Sequence, residues 1–265
     1  MRNSTVSRPP RLTTGRLAAL VIGIPISLAV IAWCALTVVA LLSLDSFQIH
    51  RSFSPSAGQL SVAVDSGDLT LIASDDSQVH LTGIAHYSLV RPTVDVTTTG
   101  ASVSVTVHCL WFVASECSVD LTVAIPPRIE VTASTDTGNL TSNGLDDLSL
   151  QTDTGDLQVN GGSGYLHLGS QTGDITGVAI DAPSVTASDQ TGDVSLDFAQ
   201  APTDVSGQDQ TGNVTVTLPA GATAYAVSAH TDTGDTSVEV PTNPASTDEI
   251  SASTSTGDVT VNAAG

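Results

Sequence analysis

Two patterns of apolar and polar positions divide the chain. From Leu17 to Leu44 runs a stretch of 28 residues without a charge. A bilayer core takes about 20 apolar residues as a helix, so the stretch predicts a single transmembrane helix over 17–44. Gly23 and Pro25 weaken a soluble helix but are common inside membrane helices. A cleavable signal is the competing reading, with Val38-Val39-Ala40 as the cut, but the run is about twice the usual 7–15 residues. Beyond Asp45 the period drops to two. Val79–Ile84, Thr93–Thr98, Ser102–Val107 and Ser118–Ile125 alternate apolar with polar residues, as half-buried strands do.

From Ile129 the alternation becomes a repeat. Thr-Gly followed by Asp or Asn recurs at Gly138, Gly155, Gly173, Gly192, Gly212, Gly234 and Gly257, at intervals of 17, 18, 19, 20, 22 and 23 residues. Seven positions before each Gly stand Val131, Leu148, Leu166, Val185, Val205, Val227 and Ile250, and five before it a small or apolar residue. Two after it stand Leu140, Leu157, Ile175, Val194, Val214, Thr236 and Val259, with mostly apolar residues again at four after. A 12-residue block thus keeps its register while the linker grows from 5 to 11. Period-two spacing on both sides of a Gly predicts two short strands joined at a turn. One such unit cannot bury its apolar side alone, so the blocks must stack. The prediction is an all-β chain: a β-solenoid of about seven rungs over 129–262, with an N-terminal β cap over 45–128.

An isolated copy of the block sits upstream, at Leu60, Val62, Gly67, Asp68, Leu69 and Leu71. The cap also holds Cys109 and Cys117. Strand patterns flank both, so a hairpin would oppose them in a structural disulfide over Trp111 and Phe112. Cys34 reads as an apolar filler of the membrane helix. The far end of the stack shows no cap, so it is either frayed or open to pairing, including self-association.

Charge sharpens the location. The chain has 7 Arg against 27 acids. Four Arg and no acid precede Asp45, and from Asp45 onward come three Arg and all 27 acids. The positive-inside rule puts the unstructured tail 1–16 in the cytoplasm and the rest outside a cell membrane. So acidic a surface argues against nucleic acid, and 3% aromatics argues against sugar-stacking platforms.

Three chemistries compete for the Asp residues beside the glycines. Asp-Thr-Gly at Asp136, Asp153 and Asp232 suggests an aspartic protease, but that needs two carboxylates sharing a proton in an apolar cleft. Other copies carry Gln171, Gln190, Gln210 and Ser255 there. Calcium is the second: a column of Asp and Asn invites a cation, yet side chains bonding their own turn explain the column without one. A polysaccharide lyase or hydrolase needs convergent carboxylates or a basic residue, and no Lys or Arg follows Arg128. His167 and His230 read as solvated residues. No catalytic residue, cofactor or metal ligand is assigned.

The order Val-Asp-Leu-Thr-Val-Ala-Ile-Pro-Pro-Arg-Ile-Glu-Val at 119–131, the Thr-Gly-Asp blocks, and Leu-Pro-Ala-Gly at 218–221 carry a resemblance. Over about 47–262 the chain resembles bacterial membrane-anchored proteins described as proposed adhesins, with a β-strand-repeat domain of unknown function. The family's usual turn is Ser-Gly-Asp; Thr replaces Ser here except at Ser66. The resemblance implies a solenoid fold and an envelope location, and no functional residues. The expected function is a non-enzymatic surface protein binding an unidentified polymer or envelope protein. The alternative is a structural or regulatory spacer whose partner lies at the membrane or the tail.

Overall fold

The computed structural model describes residues 14–54, 58–88, 90–99, 102–109, 117–221 and 224–264. Most of the tail 1–16, and the Trp111–Phe112 pair, lie outside them. Helix α1 spans Thr14–Leu42 with Pro25 inside it. Side chains are described along it for residues 23–38, and there Ile24, Ile26, Leu28, Val30, Ile31 and Trp33 are all exposed. Among the described residues no helix is long and apolar enough to cross a membrane.

The remainder is β structure. The upstream strands are β1 (Leu44–Phe53), β2 (Gln59–Ser66), β3 (Leu69–Ala73), β4 (Val79–Ser88), β5 (Thr93–Thr99), β6 (Ser102–His108) and β7 (Cys117–Ile125). The repeat begins with β8 (Glu130–Thr137), β9 (Leu140–Asn143), β10 (Asp146–Thr154), β11 (Leu157–Asn160), β12 (Ser163–Thr172), β13 (Ile175–Ile180) and β14 (Ser184–Ser188). It ends with β15 (Val194–Phe198), β16 (Asp204–Thr211), β17 (Val214–Leu218), β18 (Ala226–Thr233), β19 (Thr236–Val238), β20 (Glu249–Thr256) and β21 (Val259–Ala263).

Each Thr-Gly-Asx block contributes one strand to each of two sheets. The strand before the Gly joins a 10-stranded sheet and the strand after it an 11-stranded one. Within both sheets successive rungs pair in parallel and in register, for example Leu148 on Val131 and Leu157 on Leu140. The apolar columns predicted from the alternation face one another between the sheets, in a single core from Ile49 to Val261. Each enclosed Val or Leu is worth about 1.5–3 kcal/mol, and it is enclosed only because rungs lie above and below.

The stacking order departs from the chain order at both ends. The upstream copy β2/β3 is not isolated: it lies directly on β8/β9, and β6/β7 stacks outside it. Antiparallel β5 then closes one sheet, and β4 followed by β1 closes the other. At the far end the last block, β20/β21, inserts against β16/β17 and pushes β18/β19 to the outside. Thr236 gives the reason. It replaces the Leu, Ile or Val found two residues after every other repeat Gly, so its block is the poorest at filling a covered position. The outermost rung has one uncovered side, and Thr236 is exposed there. Among the described residues the stack therefore holds nine rungs rather than seven, about 38 Å at 4.8 Å a step.

Cys109 and Cys117 form a disulfide with Cα atoms 5.9 Å apart. The strands they bracket are not a hairpin: β6 and β7 lie in opposite sheets. The bridge closes a rung corner that lacks the Gly turn.

Candidate functional site

The Gly corners are built from stacking. At Gly138 φ is +142°, and at Gly155 it is +138°, a region that side-chain-bearing residues avoid. A Cβ on Gly138 would also collide with the carbonyl of Gly67, and one on Gly155 with that of Gly138. The same collision recurs at Gly173, Gly192, Gly212, Gly257 and Gly234, each against the corner of the rung beside it. The repeat needs Gly for two independent reasons, conformation and close approach.

The residue after each Gly forms a ladder between rungs. Asn139 N–H donates to Asp68 Oδ1 (2.8 Å), Asp156 N–H to Asn139 Oδ1 (2.9 Å), Asp174 N–H to Asp156 Oδ1 (3.0 Å) and Asp193 N–H to Asp174 Oδ1 (2.8 Å). It continues through Asn213 and Asp258 to Asp235, and begins at Asp120. The expectation that these side chains bond their own turn is therefore corrected, because each from Asp120 to Asp258 accepts from the next rung. One oxygen of each carboxylate is committed to this, which accounts for the recurrence of Asp and Asn without a ligand. Among the described residues no three His, Cys, Asp or Glu side chains converge as a metal site.

Three residues before each Gly lies an inward polar column that the alignment passed over: Thr135, Thr152, Ser170, Asp189, Asp209, Thr231 and Thr254. Thr152 Oγ1 donates to the Gly138 carbonyl (3.3 Å), Thr254 to Gly212 (3.0 Å) and Thr231 to Gly257 (2.8 Å). Two adjacent rungs carry carboxyls instead. Asp189 is 3% exposed and Asp209 6% exposed. Asp189 Oδ1 accepts the Gln190 N–H (2.7 Å), but Oδ2 is enclosed without a hydrogen-bond partner. The Ser170 hydroxyl next door is near enough to relieve the charge but outside bonding geometry. Burial pushes the Asp189 carboxyl above its ordinary value, and the charge on Asp209 adds to this against the turn N–H groups. Asp209 is raised by burial too. The signal was present in the sequence as Thr, Ser or Asp at a position of inward parity.

Outside, the two sheets present mostly polar faces, broken among the described residues by Ile84, Val96, Val178, Val238 and, within the repeat, one exposed aromatic. Phe198 and Tyr225 are buried, while Tyr165 on β12 is 71% exposed. The strand bulges there: Asp146 pairs Ser163 and Leu148 pairs Leu166, so one extra residue is accommodated. Asp147, at φ +50°, pins the bulge by accepting the Tyr165 N–H on Oδ1 (3.0 Å). Tyr165 borders a trough of about 480 Å³ with Glu130, Ser149, His167 and Thr186. A smaller trough, of about 280 Å³, continues from Ser149 and His167 past Gly169 to Ser188. Composition argues against an aromatic platform, and His167 reads as an ordinary strand residue; the two share the outward side of β12 by period-two alternation, and stacking against β10 and β14 makes that side a trough.

On the upstream sheet Ser52 Oγ lies 2.9 Å from His80 Nδ1, and His80 Nε2 lies 2.7 Å from Asp76 Oδ2. The hydrogen bond from His80 holds the Asp76 carboxyl below its ordinary value. The order of atoms is that of a nucleophile relay, but Ser52 and His80 are directly paired across β1 and β4. His80 and Asp76 are both open to water, and a nucleophile needs an oxyanion-binding pair of donors and a sheltered substrate position beside it.

Among solved structures the chain is similar to a proposed lipid-binding protein from Parabacteroides distasonis (11% identity, TM-score 0.42, 84% of this chain and 97% of that one). It is also similar to a proposed adhesin from Bacteroides fragilis (15%, TM-score 0.38, 82% and 97%). A third is a proposed cell adhesion protein from Clostridium sporogenes (11%, TM-score 0.36, 83% and 100%). Likenesses this loose carry no argument. No curated protein matches the chain. Residues 127–264, which hold the seven repeat Gly corners and most of the Asx ladder, match the Toastrack DUF4097 family, and with more than half of the 265 residues covered the chain belongs to it.

Proposed function

We propose that the protein is a non-enzymatic binding module held at the outer surface of a cell membrane by a single helix, with residues 1–16 in the cytoplasm. The observation that carries the binding reading is the stack itself. Nine rungs locked by the Gly–Asx ladder hold a long polar face rigid, so a partner meets a surface that needs no ordering. Anchoring is supported by α1, whose described apolar side chains point outward uncovered, by the uncharged stretch Leu17–Leu44, and by the four Arg before it. The Cys109–Cys117 disulfide suits an oxidising exterior. The same rigidity supports a second reading, a spacer whose partner lies at the membrane or the tail.

One experiment tests both parts. Cells expressing the full chain are extracted with alkaline carbonate and treated with protease from outside, and the solubilised chain is then added back to isolated envelopes. The proposal expects retention through carbonate, outside cleavage beyond Asp45, and saturable rebinding. Release by carbonate overturns the anchor. Absence of rebinding overturns the binding module and favours the spacer.

A further inference from the structure

We infer that the trough along β12 binds an uncharged glycan, with Tyr165 as the stacking platform and Gly169 as the notch that admits the next sugar. The inference rests on the binding-module reading and names its ligand class.

Three features of one strand converge. First, the bulge at Tyr165 is pinned by Asp147. Bulges disrupt local pairing, and here the irregularity lies directly beside the array's exposed aromatic, whose backbone N–H is held by Asp147. Second, Gly169 breaks the strand rule without a structural reason. Unlike the corner glycines it has no positive φ, and a Cβ there would meet nothing closer than Gln151 Cγ at 3.8 Å. Gly in a strand interior weakens it and commonly marks a place where a ligand comes close to the backbone. Third, the outward row of β12 reads Tyr165, His167, Gly169, Gln171. The row on β14, paired with it as far as Gly169, reads Ser184, Thr186, Ser188, with Gln190 just beyond the strand. The ring and the notch therefore lie on one side of one strand, bordered by hydroxyls and amides.

The chemistry selects a sugar. A pyranose offers an apolar face of C–H bonds to a phenol ring and a rim of hydroxyls to short polar side chains. Ser149, Thr186 and Ser188 supply such partners beside His167. Charge selects an uncharged one. Glu130 and Asp147 border the Tyr165 end, and no Lys or Arg occurs after Arg128, so phosphate-, sulfate- or uronate-bearing polymers meet repulsion.

The test uses the full-length chain in detergent micelles, titrated calorimetrically with uncharged hexamers of glucose, mannose and N-acetylglucosamine. A glucosamine hexamer and an arginine-rich peptide serve as cationic comparisons. At least one uncharged hexamer is expected to bind saturably, with an affinity that salt leaves unchanged. Tyr165→Ala is expected to weaken it by about tenfold or more. Gly169→Val fills the notch and is expected to abolish binding while leaving the thermal midpoint the same or higher. Failure of every uncharged hexamer overturns the inference, as does binding that survives both substitutions. Binding confined to the cationic probes and lost in salt overturns it too. Envelope retention is measured on the same variants: if it survives both, the glycan trough is wrong and the binding module stands.

Discussion

Asp189 and Asp209 occupy positions where the other repeat rungs carry a hydroxyl, and this makes them weak points of the stack. A Thr there donates to the glycine carbonyl of the neighbouring rung; an ionised carboxyl has no proton to donate. Asp189 Oδ2 is enclosed and unpartnered, and leaving a buried polar group unsatisfied costs about 1–3 kcal/mol. Asp189→Asn keeps the Oδ1 acceptor for the Gln190 N–H and replaces the free oxygen with a donor. It is therefore expected to stabilise the chain by about 1–2 kcal/mol at pH 7. For a chain of this size that is about 2–8 °C in Tm. The pH dependence follows from the direction of the shift. Both carboxyls are raised in the folded state, so the folded chain binds these protons more tightly than the unfolded one. Their contribution is fully present below the ordinary carboxylate value and is lost as pH rises through the folded one. The Asn variant should consequently gain most at pH 7 and little at pH 4. Thermal unfolding followed by circular dichroism at both pH values measures this. A loss of stability at pH 7, or an equal gain at both, would refute the reasoning and mean that the Asp189 carboxylate has a partner, such as a bound cation.

Gly155→Ala meets both a forbidden φ and the Gly138 carbonyl, so a loss above about 3 kcal/mol is expected, read as a collapsed urea midpoint or insoluble expression. Asp156→Ala removes the acceptor for the Asp174 N–H and should cost about 1 kcal/mol, whereas Asp156→Asn should be neutral or better because it keeps the acceptor and removes a charge from the column. Reduction of Cys109–Cys117, which closes a loop of sequence separation 8, is expected to lower stability by about 2–3 kcal/mol, seen as a drop in Tm with reductant that Cys109→Ser reproduces. A fluorophosphonate probe should leave Ser52 unlabelled at neutral pH; labelling that disappears in His80→Ala, detected by mass spectrometry, would make the surface relay a nucleophile.

The sequence by itself determined the repeating part of this protein. Stacked parallel strands impose one rule on every rung, so the Gly corner and the apolar positions seven and five before it and two after it appear as columns in the alignment. The alternation also marked the upstream strands, and the spacing of Cys109 and Cys117 marked their disulfide. What stayed hidden involves choices among equivalent rungs or contacts between them. The alignment cannot say that β20/β21 slips inside β18/β19, because any two blocks pair by the same bonds, and the decision falls to how well Thr236 and Val259 fill a covered position. Nor can it say that the Asx side chains bond the next rung, since partners 17 to 71 residues apart become neighbours only after stacking. The Tyr165 trough is the same case. Its aromatic and notch lie on one strand by period-two alternation, but the hydroxyls that border them come from two other blocks and join them only through stacking. Local periodicity wrote the rung into the sequence, and tertiary stacking decided which surfaces the rungs share.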